Sequence, residues 1–387
     1  MVIEVEVPES GDLYEAIRSS GKLQELIRTY VLKHGCKIQF FNTRAGIEEE
    51  LVKDLGFVWG HHVASFPSSR ADHGNDKGWV RRLAKKLLAT SKLRRDIFPR
   101  NVVLDPRVMG LRRLQIYGWY AFLRVMTRGR VAIKETSEAS GMGQLFTDEF
   151  GKVLKFVSGR PGLRRKSIVE VDIGPHISMT HLDEYRDGTI VDTWQTIQVI
   201  GEVDGRKVDL GRVLTTERRL PWLSSDDFRF MKWVAELMNP TILLAVQNPT
   251  GVMCWDCARS LTSGTQYALE LNMRVTFSYY VRKLMLRVRE LTGKPHITAI
   301  QVKVDPARAR SFRDLQQELG ELMYARTRGE GCVPIALRCL ESAEPYVYIT
   351  VLAGSIDRAL RMAEETAIAL GDQVLHRAII ELGDARL

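Results

Sequence analysis

Cations are the residues of this chain best placed to do chemistry. Between Lys77 and Arg130 there are fifteen of them against two acids, Asp96 and Asp105, a local net of +13 in a chain that totals +9. Charge concentrated in this way is the electrostatic footprint of a polyanion partner, and nucleic acid is the common one. A solvated helical face is the competing explanation, and the shortage of balancing carboxylates weighs against it. On the nucleic-acid reading, Arg81, Arg82, Lys85, Lys86, Lys92, Arg94, Arg95, Arg112 and Arg113 supply phosphate contacts, while Gln144, Lys152 and Lys155 reach toward bases. Arg160, Arg164, Arg165 and Lys166 form a basic wing, and Arg282, Lys283 and Arg287 lie off the apolar stripe of a later helix.

The carboxylates offer a second chemistry. Glu170, Asp172, Asp183, Glu184 and Asp187, with His176 and His181 nearby, could hold divalent metal as in two-metal nucleases. Acids in hairpins are more often solvated turn residues, so no metal is expected there. Cys254-Trp255-Asp256-Cys257 is a lone C-x-x-C with no second pair, which reads as packed thiols rather than a zinc site. His61, His62 and His73 lack ligand spacing. The five cysteines, Cys36, Cys254, Cys257, Cys332 and Cys339, are odd in number and suit a reduced core. No cofactor is required on this reading.

At 387 residues the chain can hold two to four domains. No apolar run reaches the ~18 residues of a membrane span. The start, Met1 to Val7, alternates like a strand and lacks the features of a signal peptide, so a cytoplasmic protein is expected. Arg ahead of Lys hints at a thermophile.

The elements that must position these groups follow from periodicity. Residues 1–70 read as a small α/β unit, with a strand at 2–7, helices at 12–33 and 46–55, and a strand at 36–41. A polar linker follows at 66–76. Residues 77–166 read as a basic helical region: a helix at 79–89, then one at 111–127 with Leu114, Tyr117, Ala121, Phe122 and Val125 inward. Helices at 132–139 and 143–157 and the basic wing then complete a winged helix-turn-helix. Residues 167–222 are strands joined by hairpin turns at Arg186-Asp187-Gly188 and Asp204-Gly205-Arg206. Residues 223–293 form a second helical, helix-turn-helix-like unit: a helix from Ser224 stopped by Asn239-Pro240, a short helix at 266–271 and a long one at 276–291. Residues 294–387 follow the order βαββαβ of a ferredoxin-like domain, ending in a strand at 374–382. The fold class expected is α+β, multidomain, with winged helix-turn-helix-like units and that C-terminal domain.

From Ser224 to Leu387 this order resembles the leucine-responsive/asparagine-regulator (Lrp/AsnC, feast–famine) transcription factors. Ser225-Asp226-Asp227 is similar to the family's acidic helix start, and Ile300-Gln301-Val302-Lys303-Val304-Asp305-Pro306 to its first sheet strand. The stretch Thr241–Thr262 is an insertion, and Glu341-Ser342-Ala343-Glu344-Pro345 replaces the family's glycine-aspartate hairpin. The resemblance implies DNA binding by a transcription regulator or chromatin-associated factor. The alternatives are a metal-dependent nuclease or CRISPR-type nucleic-acid-processing subunit, and an RNA-binding assembly subunit. Strands apolar on both parities within 294–387, with helices on one face only, call for a homodimer or higher even oligomer that covers the other face. No membrane partner is expected.

Overall fold

The computed structural model describes residues 13–40, 47–59, 61–90, 97–104, 112–127, 129–135, 144–159, 167–203, 206–217, 219–247, 250–335, 340 and 345–385. The helices are α1 (Leu13–Ser19), α2 (Gly21–His34), α3 (Ile47–Asp54), α4 (Ser68–Asn75), α5 (Lys77–Thr90), α6 (Arg112–Thr127), α7 (Phe150–Ser158), α8 (Ser225–Val246), α9 (Phe277–Thr292), α10 (Phe312–Leu319), α11 (Ile356–Leu370) and α12 (Gln373–Asp384). The strands are β1 (Asn101–Leu104), β2 (Val131–Glu135), β3 (Gln144–Thr147), β4 (Ser167–Val171), β5 (His176–Arg186), β6 (Thr189–Val203), β7 (Arg206–Thr215), β8 (Gly251–Ser260), β9 (Gln266–Asn272), β10 (Thr298–Val304), β11 (Gly331–Ile335) and β12 (Val347–Ala353). They form a four-stranded sheet, β1-β4-β2-β3, and an eight-stranded sheet, β11-β12-β10-β7-β6-β5-β8-β9. The chain divides into two compact units, Met1–His176 with Leu182–Thr193 and Lys232–Val275, and Ile177–His181 with Trp194–Met231 and Thr276–Leu387.

In the first unit, α1 to α3 close a small core of Val31, Leu51, Val52, Leu55 and Val63. The polar stretch expected to be a linker is α4. The small sheet is antiparallel throughout and is covered by α6 and α7, with Ile116, Tyr120, Leu123, Val153 and Val157 against Val131, Ile133 and Val169. This replaces the winged helix-turn-helix. The expected helix at 132–139 begins as β2, and the expected recognition helix at 143–157 is β3 followed by α7. Val131, Ala132 and Ile133 are fully buried, so tertiary burial overrides the local helical pattern. Helix α6 forms where expected but turns the other way. It carries two apolar stripes, and the one with Leu114, Phe122 and Val125 faces solvent.

Also in this unit, β8 and β9 form a hairpin in which Asp256 lies opposite Glu270. The expected short helix at 266–271 is therefore a strand. Helix α8 continues through Pro240 to Val246 instead of stopping, because Ile242 and Val246 remain fully buried beyond the proline. With a β-hairpin between α8 and α9, the helix-turn-helix expected at 223–293 is not formed.

In the second unit β10 is flanked by β7 and β12, each antiparallel. Gly211 on β7 lies so close to the Gln301 carbonyl that no side chain fits between them. The final segment is a helix, α12, and not a strand. Leu375, Ala378 and Ile379 bury one stripe, and the Asp372 side chain caps it by accepting from the Leu375 N–H at 2.9 Å. The ferredoxin-like βαββαβ order and the Lrp/AsnC arrangement both lose their last strand here. Thr298, Ala299, Ile300, Gln301 and Val302 on β10 are all at most 2% exposed, so both faces of the strand are covered within one chain. Helices α9 and α11 pack on it. Strand β10 therefore needs no second copy to cover it. Among the described residues no helix is long and apolar enough to cross a membrane.

Candidate active site

The first unit gathers its buried charge around the β8–β9 hairpin. Side chains two apart on a strand share a face, which sets Glu270 and Asn272 in a row with Asp256 across from Glu270, and Arg274 lies just past the end of β9. Asn272 Nδ2 donates to Asp256 Oδ2 at 2.9 Å, and Arg274 Nη2 donates to Asn272 Oδ1 at 3.0 Å. Trp255, pointing to the opposite face, anchors the strand behind this row. Its Nε1 donates to Asn239 Oδ1 at 2.8 Å, and Asn239 Nδ2 donates to Asp183 Oδ2 and Tyr185 Oη, each at 3.0 Å. Burial pushes the Tyr185 phenol up to about 12.

Helix α5 brings two cations to this row. The Asp76 carboxylate caps it, accepting from the Gly78 and Trp79 N–H groups at 2.9 and 3.1 Å. That fixes Lys77 in the first turn, where its Nζ lies 2.8 Å from Glu270 Oε2 and its side chain is 7% exposed. One turn later Arg81, 1% exposed, donates from Nη2 to Glu170 Oε2 at 2.6 Å and to the Leu269 carbonyl at 3.2 Å. Its guanidinium lies over the Phe98 ring, 4.7 Å from the centroid. From β2, Lys134 pairs with the other Glu170 oxygen.

Electrostatics follow from this geometry. Burial alone would raise both glutamates, and the neighbouring cations overcome it. For Glu170, Lys134 and Arg81 together hold the carboxyl below its ordinary range. For Glu270, Lys77 and the field of Lys134 bring it down to about 2. Two carboxylates on one face, Asp256 and Glu270, suit a hard cation, while the Asn272 amide gives its nitrogen to Asp256 and its oxygen to Arg274. Among the described residues no three His, Cys, Asp or Glu converge, and magnesium commonly takes one or two carboxylates and completes its shell from phosphate oxygens and water. Lys77, Lys134 and Arg274 are the donors that phosphates would need.

The residues singled out from the sequence are dispersed. Arg81 is turned inward onto Glu170. Arg82, Lys85 and Lys86 are exposed on α5, Arg113 is exposed on α6, and Lys152 and Lys155 are exposed on α7. Gln144 is half-buried on β3; Arg282 and Lys283 are half-buried and Arg287 exposed on α9. Arg112 opens α6 with its side chain outside the described residues, where Lys92, Arg94, Arg95, Arg160, Arg164, Arg165 and Lys166 also lie. The acids of the nuclease alternative point apart. Glu170 is paired as above, Asp172 caps Gly174 and faces Arg130, Asp183 binds Asn239, and Glu184 binds Arg186. Cys254 and Cys257 are buried on β8, and burial pushes the Cys257 thiol well up.

Sequence reading missed Lys77, Lys134, Asp256, Glu270, Asn272 and Arg274 as a set. The alternation Glu270-Leu271-Asn272-Met273-Arg274, polar on one parity, was the available signal. A helical reading of 266–271 hides it, and the C-x-x-C spacing points to Cys254 and Cys257 rather than to Asp256 between them.

No protein-family profile and no curated protein sequence matches the chain. Solved structures do. A carboxyaminoimidazole ribonucleotide synthase from Aspergillus clavatus, complexed with ATP, superposes with a TM-score of 0.58 at 10% identity, over 92% of this chain and 97% of that one. The biotin carboxylase domain of a 2-oxoglutarate carboxylase from Hydrogenobacter thermophilus, complexed with MgADP, ADP and bicarbonate, gives 0.52 at 11% identity, over 94% and 85%. A pyruvate carboxylase from Rhizobium etli gives 0.52 at 13% identity; 91% of this chain is covered, but it spans only 33% of that enzyme's length. The fold is thus similar to that of the ATP-grasp enzymes. That likeness overturns the Lrp/AsnC resemblance and the winged-helix-plus-ferredoxin class. It also overturns the reading as a DNA-binding transcription regulator with duplex DNA as partner, since the matched folds belong to nucleotide-binding enzymes.

Proposed function

We propose that this chain is an ATP-dependent enzyme of the ligase or carboxylase type. It binds a nucleoside triphosphate with a divalent cation on the β8–β9 row and uses the γ-phosphoryl group to activate a carboxylate or bicarbonate. The observation that carries this reading is the meeting of Asp256, Glu270, Asn272 and Arg274 with Lys77 and Lys134. Asp256 and Glu270 would hold the cation, with the Asn272 amide nitrogen orienting Asp256. Lys77, Lys134 and Arg274 would take the phosphate oxygens, and a cation held there would supply charge neutralisation to the transferred phosphoryl group. Glu170, clamped by Arg81, holds Lys134 in place. The likeness to folds solved with ATP and with MgADP and bicarbonate supports the same class of ligand.

Titration calorimetry with ATP and magnesium tests it. We expect saturable one-site binding, weakened about tenfold or more by Glu270→Gln and by Lys134→Met, each of which removes a charged contact. Arg113→Ala on exposed α6 should bind as the parent does. Absence of ATP binding, or equal binding by all four proteins, overturns the reading.

A further inference from the structure

Lys77 has an unusual position for a residue meant to meet phosphate. Its ammonium already sits 2.8 Å from Glu270, one of the two carboxylates proposed to hold the cation, and it is almost wholly buried there. The backbone beneath it is fixed, because the Asp76 cap grips the next two N–H groups and Gly78 lies against Val103. Only the side chain is able to swing. A divalent cation bound to Asp256 and Glu270 would lie within ~5 Å of that ammonium, given metal–oxygen bonds near ~2.1 Å. In half-buried surroundings such repulsion is weakly screened. Lys134, whose field also reaches Glu270, adds to it.

We infer that Lys77 is a built-in counter-cation that closes the metal subsite until nucleotide arrives, so that cation and nucleotide bind as a pair. This rests on the nucleotide-site reading above and adds its regulation. Without nucleotide, Lys77 neutralises Glu270 and a free divalent ion competes poorly. The polyanionic triphosphate offers Lys77 a better partner. As the ammonium moves to phosphate, Glu270 is released to the incoming cation. The coupling is reciprocal: whatever factor nucleotide adds to cation affinity, the cation adds to nucleotide affinity.

The test uses the full chain and three forms: wild type, Lys77→Gln, which keeps a hydrogen-bonding group and removes the charge, and Lys77→Arg, which keeps the charge. Manganese alone is titrated and followed by electron paramagnetic resonance; ADP with chelator is titrated by calorimetry. Lys77→Gln should bind manganese alone about tenfold or more tightly than wild type, as expected for removing a unit charge at this range. The same form should bind metal-free ADP more weakly. Lys77→Arg should stay close to wild type in manganese affinity. Opposite movement of the two affinities is the signature, because mere damage to the site lowers both. Should Lys77→Gln fail to fold, Lys77→Met is read by the same criterion. Manganese affinity unchanged or lowered in the uncharged variant overturns the counter-cation role while leaving the nucleotide site standing. Failure of wild type to bind ATP with magnesium removes both.

Discussion

Helices α5 and α9 look alike on paper and behave differently. Each is amphipathic and rich in Lys and Arg, and each was assigned cations for the same ligand. On α9 the interior stripe is Val281, Met285 and Val288, while the cations lie on other faces. Arg287 meets Glu290 at 2.7 Å with both side chains more than 60% exposed, and Lys283 lies over the Tyr279 ring. On α5 two cations occupy the interior stripe itself, since Lys77, Arg81, Ala84 and Leu88 are all buried. A cation at a core position is stable only opposite a carboxylate, and Glu270 and Glu170 stand there. The difference teaches that the informative cations of a basic segment are those that break its apolar face, not those that enlarge its charge.

Four outcomes would sharpen or break this contrast. Glu170→Ala leaves Arg81 and Lys134 buried without their partner and should cost about 3–5 kcal/mol in denaturant unfolding. A mild effect there would place α5 in the same class as α9. Next is the buried network behind the hairpin. Asn239→Ala strips partners from Trp255, Tyr185 and Asp183 and should cost about 1–3 kcal/mol by the same measurement. Third comes pH. The Glu270 carboxyl is held near about 2, below its ordinary 4.5, so its ionised form stabilises the fold. That contribution is complete above the ordinary value and disappears as pH falls through the folded one. The stability gap between wild type and Glu270→Gln should hold from neutral pH down to the ordinary carboxyl range and close between about pH 4.5 and about 2. A gap that stays constant to pH 2 would mean Lys77 does not hold Glu270 ionised. Smallest is Arg287→Ala on α9, expected within about 0.5 kcal/mol of wild type and fading further in salt.

The same contrast explains what could be read in advance. The span 167–214 was legible as hairpin strands because its turn chemistry is local: Asp187 and Gly188 both take positive φ, 48° and 79°, as a two-residue hairpin turn requires. The period gives α6 nearly its observed extent, but it starts α5 at Trp79 and so leaves out the first turn that carries Lys77. The facing of α6 was not, because Ile116, Tyr120 and Leu123 and the opposite set Leu114, Phe122 and Val125 satisfy the period equally. Segments 132–135, 266–271 and 374–382 form another element than their pattern suggests, because short apolar runs fit either period.

By itself the sequence determined the charge of the 77–130 segment, the hairpin turn at Asp187-Gly188 and the existence of a helix over 79–89, because each depends on neighbours a few residues apart. Only the tertiary structure decided that Lys77 meets Glu270 and that Arg81 and Lys134 share Glu170. Those partners lie on distant strands, and no local period records which carboxylate will stand opposite which cation. The ligand assigned to the cations changed with that decision, since the field of a charge depends on what lies within a few ångströms of it and not on its position along the chain.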